Sequence, residues 1–293
     1  MNNISRAGSN TGKRQGSNFI IIGVAKSGTT ALYQYLSEHP DIFMSHLKET
    51  NFFAYSAGDK QQNINNEFNI KNWEQYCALF DDATDGQLTG EASPLYFESN
   101  IAPKNIKSTL PEVKLILSLR NPVDRAFSGY LMHLRNGRAK TDINNAFTID
   151  KHYVQAGFYA DRIANYLVHF PRDQIKIVLF YDLVKSPISV CSEIFSFLGV
   201  DKSFVPNIGV KHNEGSYPIS SVMNYIINLG ARFKILRRIL PRFLLVTVKS
   251  LKEKNLGPKP EISVKVKDRL KALYRDDIQQ TSQIIEKDLS RWL

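Results

Sequence analysis

One stretch of the sequence could bind phosphate through its backbone. It runs Gly23-Val24-Ala25-Lys26-Ser27-Gly28-Thr29-Thr30 and fits the G-x-x-x-x-G frame of a phosphate loop, in which N–H groups and a helix start hold the anion. A nucleotide-hydrolysing loop places Lys and Ser or Thr directly after the second Gly, whereas here Lys26 lies inside the loop and two threonines follow it. The stretch therefore predicts a phosphate site that differs from the loop of nucleotide-hydrolysing proteins. The alternative is a tight strand-to-helix connection in which Thr29 begins the helix.

A second polar stretch follows another predicted strand. It runs Leu119-Arg120-Asn121-Pro122-Val123-Asp124-Arg125-Ala126-Phe127-Ser128. Arg120 stands at the carboxyl edge of the predicted sheet, where open α/β sheets bind ligands, and its planar guanidinium suits a phosphate. Ser128 follows two helical turns later. The alternative places Arg120 in a structural ion pair and Ser128 on a helix surface.

These candidate residues are positioned by alternating strands and helices. Apolar β-branched runs predict strands at 18–24, 88–90, 114–119 and 175–180, and helical periodicity predicts helices at 29–38, 73–80, 123–135 and 187–198. Such alternation predicts a parallel sheet covered by helices. We therefore expect an α/β fold in one domain, 18–293, with three α/β/α layers, a central parallel sheet and a P-loop-like phosphate-binding loop. Residues 1–17 are expected to form a flexible N-terminal lead.

Composition excludes several classes of protein. The chain has 293 residues, 43% of them hydrophobic, which suffices for a core and excludes a disordered protein. Cys77 and Cys191 are far apart and lack a CxxC pattern, and the six histidines are scattered, so we expect neither disulfides nor a metal site. There is no apolar run of the ~20 residues that a membrane span needs. The polar start does not resemble a signal peptide, so a cytoplasmic protein is expected.

The net charge of +10 favours anionic partners. Part of it lies in a basic helical segment, 219–260, where residues 232–254 carry eight basic side chains and one acidic side chain among apolar ones. This pattern allows peripheral contact with a membrane or with an acceptor. The alternative is a pair of helices with a solvated basic face.

Together, the Gly23 loop and the Arg120 stretch resemble the sulfotransferase family that uses 3′-phosphoadenosine 5′-phosphosulfate (PAPS), especially its heparan-sulfate-type and bacterial branches. The resemblance covers nearly everything after Asn18. It extends through four more motifs: Lys48-Glu49-Thr50-Asn51-Phe52-Phe53, Gly90-Glu91-Ala92-Ser93-Pro94-Leu95-Tyr96, Phe180-Tyr181-Asp182-Leu183, and Asp288-Leu289-Ser290-Arg291-Trp292-Leu293. It implies an enzyme of class EC 2.8.2.

The resemblance also implies how the donor is bound, with 3′,5′-adenosine bisphosphate (PAP) as product and no metal. Lys26 would contact the phosphosulfate, and Lys48 would help to neutralise the sulfuryl oxygens in the transition state. The remaining donor contacts would come from Ser27, Gly28, Thr29 and Thr30 on the 5′ side, Arg120 and Ser128 on the 3′-phosphate, and Lys211 and Asn213 in a basic loop that matches the family less closely.

The resemblance implies a general base as well. Glu91 follows a predicted strand near the donor, and the heparan-type branch has a Glu in a similar context, so Glu91 is predicted to take the acceptor proton. The cytosolic branch uses a His, which makes His46 and His133 the alternatives. Glu91 could otherwise be a strand-end carboxylate paired with a lysine.

The acceptor is expected to be a hydroxyl or amine of a carbohydrate, a glycolipid or another hydroxylated small molecule. A P-loop kinase or NTPase is an alternative function, although it would need a Lys after Gly28 and a strand-end Asp for Mg²⁺. A non-enzymatic basic module that binds acidic glycan or nucleic acid is another. The sequence shows no nucleic-acid motif, so we expect no nucleic-acid partner.

Overall fold

A five-stranded parallel sheet forms the centre of the protein. The computed structural model describes residues 16–55, 70–136, 138, 143, 145–209, 217–218, 256–257 and 261–293. The strands are β1 (Phe19–Gly23), β2 (Ile42–Met44), β3 (Leu88–Ala92), β4 (Lys114–Leu119) and β5 (Ile175–Leu179), in the spatial order β2-β3-β1-β4-β5. A short antiparallel pair, β6 (Tyr217–Pro218) and β7 (Leu256–Gly257), is separate from this sheet.

Helices connect and cover the strands. They are α1 (Thr29–Ser37), α2 (Trp73–Cys77), α3 (Ala102–Thr109), α4 (Pro122–Arg135), α5 (His152–Gln155), α6 (Ala160–His169), α7 (Phe180–Lys185), α8 (Pro187–Leu198) and α9 (Val264–Ile285). Single 3₁₀ turns occupy Phe52–Ala54, Ala78–Phe80, Pro94–Glu98, Arg172–Gln174 and Ser290–Trp292.

The side chains of β1 show why the fold has three layers. All five residues of β1 are buried, because both faces of the sheet are covered. Phe19 and Ile21 pack into one apolar cluster with α1 and α8, whereas Ile20 and Ile22 pack into the other with α4, α6 and α9. Each such fully buried side chain stabilises the fold by about 1.5–3 kcal/mol. The expected α/β/α arrangement around a parallel sheet is confirmed.

The predicted elements match the observed ones to within two residues, except that the helix predicted over 73–80 is α-helical only to Cys77 and ends in the 3₁₀ turn Ala78–Phe80. Two further differences are informative. β3 continues through Ala92, so Glu91 lies inside the strand rather than after it. β5 ends at Leu179, and Phe180 begins α7.

Several sequence predictions fall on residues that are not described. These are residues 1–15 of the lead predicted over 1–17, and nearly all of the basic segment 219–260, including 232–254. Among the helices that the structure describes, none combines the length and the apolar character that crossing a membrane requires.

Candidate active site

The loop between β1 and α1 presents an uncapped helix start. Gly28 has φ +83° and precedes Thr29 without any side-chain hydrogen bond to the helix N-terminus. A Cβ on Gly28 would lie 2.8 Å from Leu183 Cδ2 and 3.0 Å from Phe180 Cδ2, so a side chain here would force α7 or the loop to shift. Because no side chain caps this helix start, the first N–H groups of α1 remain available to bind an anion.

The loop is held by the segment that runs from β4 into α4. Val24 N–H donates to the Ser118 carbonyl over 3.0 Å. Three consecutive loop carbonyls accept hydrogen bonds from that segment: Ala25 from Arg125 Nε (3.1 Å), Lys26 from Arg120 Nη1 (3.1 Å) and Ser27 from Ser118 Oγ (2.6 Å). The loop conformation is thus fixed before any ligand binds. The buried Ser27 hydroxyl has no partner among the described residues, and a phosphate on the loop would supply one.

Lys26 concentrates positive charge in this loop. Its backbone has φ +72°, a conformation that is strained for a residue with a side chain. Burial lowers the pKa of Lys26, and the nearby positive charges of Arg135, Arg120 and Arg125 lower it further, while Glu49 raises it. These cations favour an anion at the loop.

Lys48 reaches the same place from another part of the chain. Its Nζ donates to Thr30 Oγ1 over 2.6 Å in the first turn of α1. Burial lowers the pKa of Lys48, and Glu49 raises it. The structure therefore brings together the predicted residues Lys26, Ser27, Gly28, Thr29, Thr30, Lys48 and Arg120.

Glu91, the predicted general base, is surrounded by hydroxyl groups near the end of β3. It is completely buried, and both carboxylate oxygens accept hydrogen bonds from hydroxyl groups. Thr50 Oγ1 (2.7 Å) and Ser93 Oγ (2.9 Å) donate to Oε2, and the hydroxyls of Tyr76 and Tyr96 (2.9 Å each) donate to Oε1. Burial raises the pKa of Glu91, against the effect of these donors. Catalytic hydrogen bonds often form only once the substrates are bound, so the role of Glu91 as general base stays a prediction.

Glu49 is a second carboxylate near the loop, and the sequence interpretation gave it no role. Its side chain is 58% exposed and Oε1 lies 4.0 Å from Lys48 Nζ. Its φ is +63°, and its N–H donates to the Ala92 carbonyl at the end of β3 over 2.9 Å. The position of Glu49 directly after Lys48 was the available signal, since the same motif that supplies the lysine also supplies an acidic group.

The other predicted residues differ in how closely they approach the loop. Ser128 lies half-buried on α4, and no hydrogen bond among the described residues joins it to Arg120. His46 is exposed, and His133 packs against His152 and Tyr153. Lys211 and Asn213 lie outside the described residues. Among the described residues, no group of three side chains could hold a metal ion.

Two cavities flank the loop along the carboxyl edge of the sheet. A cavity of about 550 Å³, here the β5-side cavity, is lined by Arg120, Phe180, Tyr181, Arg291 and Trp292 among others. A groove of about 750 Å³, here the β2-side groove, is lined by Leu47, Lys48, Ile70, Ala78 and Leu79 together with two polar residues. The loop follows β1, which is the central strand in the order β2-β3-β1-β4-β5. The loop therefore lies between the β2-side groove and the β5-side cavity.

Comparisons with known proteins agree with this geometry. The family model described as a sulfotransferase domain matches residues 17–213. Human heparan sulfate glucosamine 3-O-sulfotransferase 3B1 is 32% identical over 68% of this chain and 50% of its own length. Human bifunctional heparan sulfate N-deacetylase/N-sulfotransferase 3 is 31% identical over 62% of this chain and 22% of its own length. The chain thus spans half or less of these two relatives.

A solved structure is similar over almost the whole chain. It is a sulfotransferase from Alicyclobacillus acidocaldarius, 26% identical, with a TM-score of 0.68 over 94% of this chain and 98% of that one.

Proposed function

Because this chain belongs to the sulfotransferase domain family, we propose that it transfers a sulfuryl group from PAPS to a hydroxyl or amine of a carbohydrate or glycolipid acceptor. The resemblance inferred from the loop and the Arg120 stretch is confirmed at the level of the family. The observation that carries the proposal is the convergence of Lys26, Lys48 and Arg120, from three separate segments, on one uncapped helix start. The relatives include both O- and N-sulfotransferases, so either acceptor atom fits.

The donor would lie along the sheet edge from the loop toward β5. Its 5′-phosphosulfate would bind the N–H groups of the loop and α1, and its 3′-phosphate would bind Arg120. The adenosine would then occupy the β5-side cavity, where Arg291 lies over the Tyr181 ring at 5.7 Å from its centroid. The guanidinium of Arg120 is supported in turn by the Phe180 ring, 4.6 Å from its centroid. Ser128, Lys211 and Asn213 stay predicted donor contacts.

Catalysis would follow from the charges at the loop. The acceptor oxygen or nitrogen attacks sulfur while the bond from sulfur to the 5′-phosphate oxygen breaks, and PAP leaves. Lys26 and Lys48 stabilise the negative charge on the leaving oxygen and the sulfuryl oxygens, a role that fixed cations serve well in a site of this kind. We assign the acceptor proton to the Glu49 carboxylate, because it is exposed beside Lys48, and the predicted base Glu91, which is buried near the end of β3, is the alternative.

Calorimetric titration with PAP, AMP and Mg·ATP tests the donor assignment. We expect metal-independent binding with a marked preference for PAP, and about tenfold or greater loss of PAP affinity in Lys26→Ala, since a charge-assisted hydrogen bond is worth about 1.5–3 kcal/mol. Lys104→Ala, at an exposed position on α3, is the matched control and should bind PAP normally. A preference for Mg·ATP would contradict the proposal.

The predicted membrane contact of residues 232–254 and the predicted cytoplasmic location are separate from this proposal. Both stay predictions, and the basic segment can be tested by sedimentation of the intact chain with anionic vesicles. Binding that disappears at high salt would support the contact.

A further inference from the structure

The β2-side groove opens next to the place where sulfur would be transferred. Lys48 belongs to both sites, because its side chain lines the groove while its Nζ donates to Thr30 at the start of α1. Glu49, the assigned base, follows it in the chain. An acceptor in this groove would therefore extend its reacting end to both Lys48 and Glu49.

The direction of attack also selects this groove. In-line transfer requires the acceptor to approach sulfur from the side opposite the leaving phosphate. Arg120 and the β5-side cavity lie on the β4–β5 side of the loop, whereas the groove lies on the β2 side. With the nucleoside in the cavity, the sulfuryl group points toward the groove.

The wall of the groove indicates what kind of acceptor it fits. Leu47, Ile70, Ala78 and Leu79 supply its apolar surface, and His46 and Gln75 supply polar edges. Lys48 is the only Lys or Arg among the described residues that line it, and its ammonium already bonds Thr30. A polyanionic glycan would need several cations for its carboxylates and sulfates. The apolar surface instead favours burial of a hydrocarbon chain.

We infer that the acceptor is a neutral amphiphile whose alkyl or acyl chain lies in the β2-side groove and whose hydroxyl reaches Glu49. This inference rests on the proposed function and narrows its acceptor class. The hydroxyl oxygen forms the new bond to sulfur, its proton passes to the Glu49 carboxylate, and PAP departs with the electrons of the broken sulfur–oxygen bond. The volume of about 750 Å³ lies in the range of a pocket for one small-molecule ligand.

The test compares methyl and octyl β-glucoside as acceptors with PAPS as donor, below the critical micelle concentration of the octyl compound, beside a heparan-type oligosaccharide. We expect kcat/KM to be about tenfold or more higher for the octyl glucoside, because its additional methylenes leave water on binding. The octyl glucoside should also bind calorimetrically to the PAP complex.

Two variants at one position locate the effect. Ala78→Trp fills the groove and Ala78→Asp places a charge in its apolar wall, so each should lower kcat/KM for octyl glucoside to that for methyl glucoside while PAP affinity persists. Ala272→Trp is the matched control, since Ala272 lies on a helix, α9, that does not line the groove.

The outcomes separate this inference from the proposed function. A wild-type protein that does not bind PAP would overturn both. Normal PAP binding with equal rates for the two glucosides, with preference for the anionic oligosaccharide, or with no binding of octyl glucoside would overturn the inference alone. An octyl preference that survives in both Ala78 variants would also count against the groove.

Discussion

Glu49 and Glu91 lie on two backbone segments that are next to each other in the fold. Their carboxylates nevertheless differ in solvent exposure and in hydrogen bonding. Glu49 N–H bonds the Ala92 carbonyl, and its side chain extends into solvent beside Lys48. Glu91 is buried under four hydroxyl groups. One of these belongs to Thr50, which follows Glu49 in the chain, so Glu91 holds the segment that carries Glu49.

Substitution with the matching amide should distinguish these two roles. Glu49→Gln should lower kcat by about 10²–10⁴-fold with PAP affinity nearly unchanged, because it removes the proton acceptor and little else. Glu91→Gln should instead destabilise the fold by about 1–3 kcal/mol, since an amide NH₂ would face hydroxyl donors in a buried site. Kinetics, PAP calorimetry and thermal unfolding of both variants provide the measurement.

The opposite pattern would restore the first assignment. If Glu49→Gln turns over normally, while Glu91→Gln unfolds at the wild-type temperature and has lost transfer, then Glu91 is the base and the segment around Glu49 must open during the reaction.

At the scale of the elements, the phosphate loop depends on contacts from two neighbours. β4 and the start of α4 fix its carbonyls, and α7 closes over Gly28. Gly28 therefore has two constraints, a positive φ and a close neighbour. Gly199 at the end of α8 has φ +88°, but a Cβ added there would meet no atom within 4 Å, so Gly199 isolates the first constraint.

Alanine substitutions at Gly28 and Gly199 should distinguish the effect of backbone strain from the effect of steric contact with α7. Gly199→Ala should cost about 1–2 kcal/mol of unfolding free energy, the cost of a left-handed residue, and leave PAP affinity unchanged. Gly28→Ala should cost more than Gly199→Ala and also weaken PAP binding at least about tenfold, because α7 or the loop must move. Urea unfolding and calorimetry measure both effects, and equal behaviour of the two variants would contradict the role of crowding by α7.

The same elements show what the sequence could predict. The strands were predictable because continuous β-branched runs such as 19–22 occur where a sheet is covered on both faces. The surroundings of Glu91 were not predictable, because strand patterning predicts burial but not which hydroxyl groups gather around a side chain. Two of its four donors, Thr50 and Tyr76, come from other segments of the chain, whereas Ser93 and Tyr96 follow it closely. The role of Glu49 required the position of the loop relative to β3.

At the scale of the whole molecule, the C-terminus reaches back to the donor site. Trp292 packs edge-on against the Tyr159 ring, with centroids 6.2 Å apart, and both Arg291 and Trp292 line the β5-side cavity. The Tyr159 hydroxyl donates to the Arg120 carbonyl over 2.8 Å. Residues far apart in sequence thus fix the backbone of the arginine that is assigned to the 3′-phosphate.

Removing the Tyr159 hydroxyl tests this long-range support. Tyr159→Phe should weaken PAP binding several-fold, since a lost hydrogen bond costs about 1 kcal/mol, and should leave AMP affinity unchanged because AMP lacks the 3′-phosphate. Tyr166→Phe is the matched control, because its buried hydroxyl bonds the Tyr96 carbonyl over 3.0 Å, away from Arg120. Calorimetry with both nucleotides measures the difference. Equal losses for PAP and AMP, or for the two variants, would mean that Tyr159 stabilises the fold in general and that the C-terminal residues do not position Arg120.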